Sequence, residues 1–284
     1  MKAPFAYFGG KARLAPAIVG LFPEHQTYME PYAGSLAVFF HKPPVRHQIL
    51  NDLDCAVATF FRVLRDHPEE LERVCRLTPH SRTEFMLANL TEPGLGDLEV
   101  ARRFWVRVNQ SFVKTAATSS GWSVTTSRTQ SVPASVAARI GRFADCAHLL
   151  STASIENCDG ASLVRRLAND KTLVYADPPY FEDTRTARRK GPMTDYRTDM
   201  GCREPHVDLA DALRATPATV FVSGYPSDLY SELYDGWDFV DFEVAASSGS
   251  RKAGAARGRR IERVWSNRPI LRSAGEQLTL DTTA

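Results

Sequence analysis

Long apolar runs are missing from this chain. No stretch approaches the ~20 apolar residues of a membrane span, and Met1-Lys2-Ala3-Pro4-Phe5 opens it with no apolar core before Gly9. The expectation is a soluble, cytoplasmic protein without a membrane partner. Cysteine is scarce: five residues, an odd number, with no Cys-x-x-Cys spacing. That points to neither a disulfide framework nor a zinc site and fits a reducing compartment, so no metal is expected. A charge excess is missing too, because 35 Lys and Arg face 33 Asp and Glu for a net charge of +2. A polyanionic partner would have to meet local basic patches rather than a uniformly basic surface.

What is present is an ordinary globular composition, 43% hydrophobic and 24% charged, over 284 residues. A chain of that length buries one large core or two smaller ones, which suits a catalytic domain carrying an insertion. Its most informative stretch is Leu173-Val174-Tyr175-Ala176-Asp177-Pro178-Pro179-Tyr180. The apolar run reads as a buried strand, and two prolines without N–H groups end it. The Asp177 carboxylate and the carbonyls around Pro178 are left as acceptors, with Pro179 stiffening the turn and the Tyr180 ring close by. An exocyclic amine needs two acceptors and an aromatic base needs a face to lie on. Taken alone, the stretch reads equally as a stiff turn with a solvated acid.

Upstream, Tyr7-Phe8-Gly9-Gly10-Lys11 runs into Leu14, Ile18 and Leu21 at helical spacing. It reads as a tight loop opening a helix, with backbone N–H groups and the Lys11 ammonium available to an anion, or as a plain glycine turn. Tyr28-Met29-Glu30-Pro31-Tyr32-Ala33-Gly34-Ser35 reads as a strand ending in a small-residue turn, with Leu36 to Phe40 as the first turns of an apolar helix. This is the first unit of a nucleotide-binding α/β domain. A second strand from His47 ends at Asn51-Asp52-Leu53-Asp54. An acid there commonly takes both ribose hydroxyls, although Asp52 also reads as a helix N-cap before Ala56 to Leu64.

Residues 65 to 150 look like an insertion, helical around 69–74 and 98–108, with a polar loop over 115–133 and no visible repeat. Arg102, Arg103, Arg107, Lys114, Arg128, Arg139 and Arg142, interleaved with Trp105, Phe112 and Trp122, could bind nucleic acid or be a solvated face over an aromatic core. A short strand over 154–159 then places Asp159 at a strand end, followed by a helix to about 168. A basic loop with Arg185, Arg188, Arg189 and Lys190 follows Tyr180. A helix over 206–213, a buried strand over 219–224, and two alternating strands over 239–244 and 260–265 come after it. The last two flank a glycine-rich loop carrying Arg251, Lys252, Arg257, Arg259 and Arg260, which has the charge to seek phosphates.

The order aromatic-Gly-Gly-Lys, Glu-Pro-Tyr-Ala-Gly, Asn-Asp, helical insertion, Asp-Pro-Pro-Tyr and closing Arg-x-Glu-x-x-Trp resembles the Dam-like (D12 class) DNA adenine-N6 methyltransferases over about 5 to 270. The resemblance implies a Rossmann-like α/β methyltransferase fold, with a mixed, mostly parallel seven-stranded sheet and helices on both faces. It implies a catalytic domain of residues 1–64 and 150–284 and a target-recognition domain of 65–149. S-adenosylmethionine would be held by Tyr7, Gly10, Lys11, Glu30, Ala33, Gly34, Asp52, Asp159 and Asp177. Asp177, Pro178, Pro179 and Tyr180 would hold an adenine flipped out of double-stranded DNA, with Arg185 to Lys190 and Arg251 to Arg260 on the phosphates. A monomer in solution and a place in restriction-modification are further expectations. Two positions depart from the pattern: Leu36 stands where a second glycine is common, and Gly160 where an aromatic is common. Alternatives are cytosine-N4 methylation, an RNA adenine substrate, and a non-catalytic DNA-binding module with the same core.

Overall fold

The computed structural model describes residues 1–7, 9–90, 92–112, 121–124, 131–181, 200–245 and 259–270. Seven strands form one sheet: β1 (Thr27–Glu30), β2 (His47–Asn51), β3 (Ser154–Glu156), β4 (Thr172–Ala176), β5 (Thr219–Gly224), β6 (Asp238–Ala245) and β7 (Arg259–Ser266). Their order is β3-β2-β1-β4-β5-β7-β6. All neighbours are parallel except β7, which runs antiparallel to both β5 and β6. This is the Rossmann-like methyltransferase fold. Every residue of β1 and β4 is buried, as expected of parallel strands covered on both faces.

Period-two alternation sorts the strand side chains into two apolar layers. Tyr28, Leu50, Leu173, Tyr175 and Phe221 join one core cluster with Val57, Phe60 and Leu64 of α2 (Cys55–Asp66). Met29, Val174, Ala176, Val220 and Val222 join the other, with side chains of α8 (Gly160–Leu167), α9 (Arg203–Ala215) and α10 (Asp228–Leu233). The sheet winds outward from β1 through β2 to β3, then crosses back to β4. The carboxyl ends of β1 and β4 therefore flank the reversal of strand order, where open α/β sheets take ligands.

Between β2 and β3 come α2, α3 (Pro68–Leu77), α4 (Arg82–Ala88), α5 (Asp97–Gln110), α6 (Val132–Ile140) and α7 (Phe143–Leu150). They are not a separate layer. Phe104 of α5 lies 5.4 Å from Phe60 of α2 and 5.2 Å from Phe5, ring centroid to ring centroid, and Phe143 of α7 lies 6.0 Å from Phe60. The basic residues here are engaged internally. Arg102 pairs with Glu99 and Glu84, and Arg103 with Glu99 and Glu92. Arg107 donates to the Ala88 carbonyl, Arg139 to Asn109 and Arg142 to the Ala3 carbonyl. Lys114, Arg128 and most of the 115–133 loop lie outside the described residues.

Three local expectations are corrected. The helix after Lys11 is short, α1 (Ala15–Val19), since Gly20 and Pro23 end the helical spacing. Residues 36–40 form turns rather than a helix, because Leu36 takes φ 55°, incompatible with helical backbone. The cap of α2 is Asp54, whose Oδ1 accepts from Ala56 N at 2.9 Å. Asp52 is thereby released for a different role.

Candidate active site

The carboxyl ends of β1, β2 and β4, the turn after Tyr7 and the start of α8 enclose a cavity of about 520 Å³. Its size suits a small-molecule ligand. Tyr7, Gly10, Lys11, Glu30, Ala33, Gly34, Asp52, Asp159 and Asp177 all line it, together with Pro179. Pro178 and Tyr180 stand behind this wall. Of the basic loop residues, Arg185, Arg188, Arg189, Lys190, Arg251, Lys252 and Arg257 lie outside the described residues. Arg259 is placed only as the first backbone position of β7, and the Arg260 guanidinium lies 5.5 Å from the Tyr225 ring centroid.

Small residues bring the walls together. The Tyr7 ring lies over Gly34, where an added Cβ would stand 3.3 Å from it, and Gly34 itself has φ 46°. Leu36 adopts the left-handed conformation at the place of the second glycine, held there by a fully buried side chain. Gly160 abuts the Tyr32 ring, which a Cβ would meet at 2.9 Å. The Tyr32 ring, from the turn after β1, thus fills the space beside Gly160.

The acids are placed by backbone amides. Asp52 accepts from Gly34 N and from Asp54 N, each at 2.9 Å, and so ties the β1 turn to the β2 turn. Burial lifts its carboxyl to about 6, against those two hydrogen bonds. Asp159 caps α8, accepting from Ser162 N at 2.8 Å. Glu30 is buried and accepts from the Tyr28 hydroxyl at 2.7 Å. Burial pushes it up to about 8, so it is largely neutral at pH 7. Asn51, to which the sequence alone assigns no role, bonds Pro31 O, Cys158 O and Cys158 N at 2.8 to 2.9 Å, fastening the ends of three strands.

Lys11 is the centre of a charged cluster at the end of β4. Its ammonium donates to both Asp177 oxygens, at 2.8 and 2.9 Å, and to the Gly9 carbonyl at 3.0 Å. It also lies 3.1 Å from Glu262 Oε1. Burial would strip its proton, but the Asp177 and Glu262 carboxylates outweigh that and hold it well above the ordinary lysine value. Burial lifts Asp177 to about 6, against Lys11 and helped by Glu262. The pair is ionised at neutral pH. The Tyr180 hydroxyl accepts from Lys11 and donates to Glu262, and its ring packs on Tyr225 at 4.6 Å with 7% of the residue exposed. Its ring therefore faces another tyrosine rather than open space.

Tyr225 is not singled out by sequence pattern, and Glu262 appears there only as the acid of the closing Arg-x-Glu-x-x-Trp stretch, without a role. Glu262 does leave a signal: it is an acid at the same inward-facing phase of β7 as Val264 and Ser266, all buried.

The family description "D12 class N6 adenine-specific DNA methyltransferase" matches residues 7–245. No curated protein matches the chain. Among solved structures, a precorrin 8W decarboxylase of Methanobacterium thermoautotrophicum is similar at TM-score 0.41 and 9% identity, covering 94% of this chain and 98% of the other. The putative methyltransferase yhhF of Escherichia coli is similar at TM-score 0.35 and 13% identity, covering 90% and 80%. The strand order carries the fold and the matched residues carry the family: the chain belongs to the D12 class of N6 adenine-specific DNA methyltransferases.

Proposed function

We propose that this protein transfers a methyl group from S-adenosylmethionine to the N6 amine of an adenine flipped out of double-stranded DNA, at one short recognition sequence. The observation that carries this reading is the Asp177 carboxylate, fixed by Lys11 at the end of β4 and still 19% open toward the cavity.

The cavity's donor set fits the cofactor. Glu30, Asp52, Asp159, Asp177 and Asp208 are the acids among the described lining residues, and Lys11 is the base. A ligand that is cationic at two points and rich in hydroxyls suits such a wall. Asp52 has spent one lone pair per oxygen on backbone amides and keeps others for ribose hydroxyls. Glu30, neutral in isolation, ionises when a cation lies against it. The glycine turn and Lys11 face the carboxylate end. S-adenosylmethionine, when bound, supplies an electrophilic methyl on a sulfonium.

The adenine amine is a poor nucleophile because its lone pair is delocalised into the ring. Asp177 and a carbonyl near Pro178, accepting its two N–H hydrogens, localise that lone pair and aim it. Holding the two reactants in line supplies much of the acceleration. Asp177 need not be a strong base: once the nitrogen has become cationic and the neutral thioether has left, the proton passes along the existing hydrogen bond to the Asp177 carboxylate and on to solvent. Tyr180, buried behind the cavity wall, offers no open face; Tyr225, half-buried against it, is the ring that an extruded base would meet there. Residues 1–64 and 150–284 carry this chemistry. Residues 65–149 are assigned to target recognition, and the shared Phe5, Phe60 and Phe104 packing keeps that part in register with the site.

Expression in a methylation-free host, followed by sequencing that detects modified bases, should reveal N6-methyladenine at a single motif. Asp177→Asn should reduce labelled-methyl incorporation by roughly 100-fold or more while cofactor binding by calorimetry persists. Unmodified adenine throughout, or near-normal turnover in the variant, would count against the reading.

A further inference from the structure

Two carboxylates share one buried ammonium at the end of β4. Lys11 Nζ lies 2.8 Å from Asp177 Oδ1 and 3.1 Å from Glu262 Oε1, with side-chain exposures of 4% for Lys11, 19% for Asp177 and 6% for Glu262. Asp177 can be reached from the cavity. Glu262 does not line it, so whatever Glu262 does is done through its neighbours. Those neighbours are Lys11, which it draws on electrostatically, and Tyr180, whose hydroxyl it fixes.

The arrangement is costly. One ammonium and two carboxylates leave a formal negative charge in a largely buried cluster open to solvent only at Asp177, and a buried charge without full compensation destabilises a fold. An amide or an apolar side chain on β7 would remove that cost. What the second carboxylate changes is the Lys11–Asp177 pair. An ammonium with a single acid partner concentrates its pull on both Asp177 oxygens and weakens them as acceptors for a third group. With Glu262 taking a share, Asp177 stays electron-rich, and the Tyr180 bond keeps the Asp-Pro-Pro-Tyr turn closed against Lys11.

We propose that Glu262 is a positioning residue for methyl transfer: by sharing the Lys11 ammonium and anchoring the Tyr180 hydroxyl, it leaves Asp177 an acceptor for the substrate amine rather than a member of an exclusive ion pair. The inference rests on the reading of Asp177 under Proposed function, and its test is readable without activity.

Glu262→Gln keeps an acceptor for Tyr180 and removes the charge. Among the described residues, the titratable groups that act on Asp177 are Lys11, Glu262, Tyr180, Tyr175 of β4, Glu30 and Tyr28 of β1, and Tyr230 of α10. Only Glu262 changes in the variant. Carbon-13 NMR of the Asp177 carboxyl, assigned with Asp177→Asn, should show it titrating at lower pH in Glu262→Gln, because a like charge has gone and Lys11 has become exclusive. In the labelled-methyl assay kcat should fall about tenfold with KM for DNA and cofactor little changed, the signature of an interaction made in the transition state. Glu262→Asp, with the charge kept but drawn back by one methylene, should lie between in both readouts, and it carries the test alone if the amide variant does not fold. An unmoved Asp177 titration, or wild-type kcat in the variants, overturns the proposal. A wild-type protein that binds cofactor yet methylates no DNA refutes the functional reading instead, while the titration still decides the role of Glu262.

Discussion

Lys11 and Asp177, 166 positions apart in the chain, meet at 2.8 Å. The contact joins the glycine turn before α1 to the proline turn after β4, so the two ends of the proposed reaction, donor side and acceptor side, share one charged hydrogen bond. A displacement of either turn is felt by the other.

Replacing Lys11 by Met keeps its volume and removes its charge. Asp177 and Glu262 then face each other across a buried gap with no counter-ion. Stability should fall by about 3–5 kcal/mol, the cost of breaking a buried pair by removing one partner, read as a lower urea midpoint at unchanged slope. Methyl transfer should be lost as well. Unchanged stability would mean that both acids take up protons or water when Lys11 goes.

Leu36 sets two effects against each other. Its φ of 55° is strained for any residue with a Cβ, worth about 1–2 kcal/mol, and Leu36→Gly relieves that. The same change deletes a fully buried side chain, costing about 2–5 kcal/mol, and adds freedom to the unfolded chain. Packing wins, and the variant should melt below the wild type. A higher Tm would show that relief of strain outweighs the lost packing.

Glu30 makes stability and ligand binding depend on pH. Burial raises it from an ordinary 4.5 to about 8, so between those values the folded chain holds a proton that the unfolded chain has released. Stability is therefore greatest below pH 4.5 as far as this group is concerned, and its contribution declines as pH rises to 8, by at most about 1.4 kcal/mol per pH unit. Glu30→Gln should remove that decline, seen in the difference between the two proteins' denaturation midpoints across the window. A cationic ligand should also expel the proton at neutral pH. Calorimetry in buffers of different ionisation enthalpy would detect the release in the wild type and its absence in the variant.

The centre of the sheet was legible because β4 and β5 are nearly continuous apolar runs, and the proline pair marks where β4 stops. The candidate cofactor residues came from the family resemblance, and local sequence places most of them at strand ends or tight turns; the fold brings them to one cavity. Leu36 was misread for the opposite reason: an apolar run looks helical until the fold forces one residue to positive φ. Asp52 reads as a possible cap because an acid before an apolar helix fits that role, and only the fold shows that Asp54 takes it while Asp52 turns to the Gly34 amide. The arginines of α5 looked available for phosphates until the fold set Glu84, Glu92 and Glu99 against them.

By itself, the order of residues determined the strands, the turns that end them, and the acid-proline-proline-tyrosine stretch that offers acceptors at one of those ends. These depend on backbone chemistry within a few positions. Only the tertiary structure decided that Lys11 reaches Asp177, that Glu262 of the antiparallel β7 completes the cluster, and that Tyr180 turns its hydroxyl inward. Electrostatic partnership in a dry interior depends on distance in space, and residues far apart in the chain acquire that distance only when the sheet has formed.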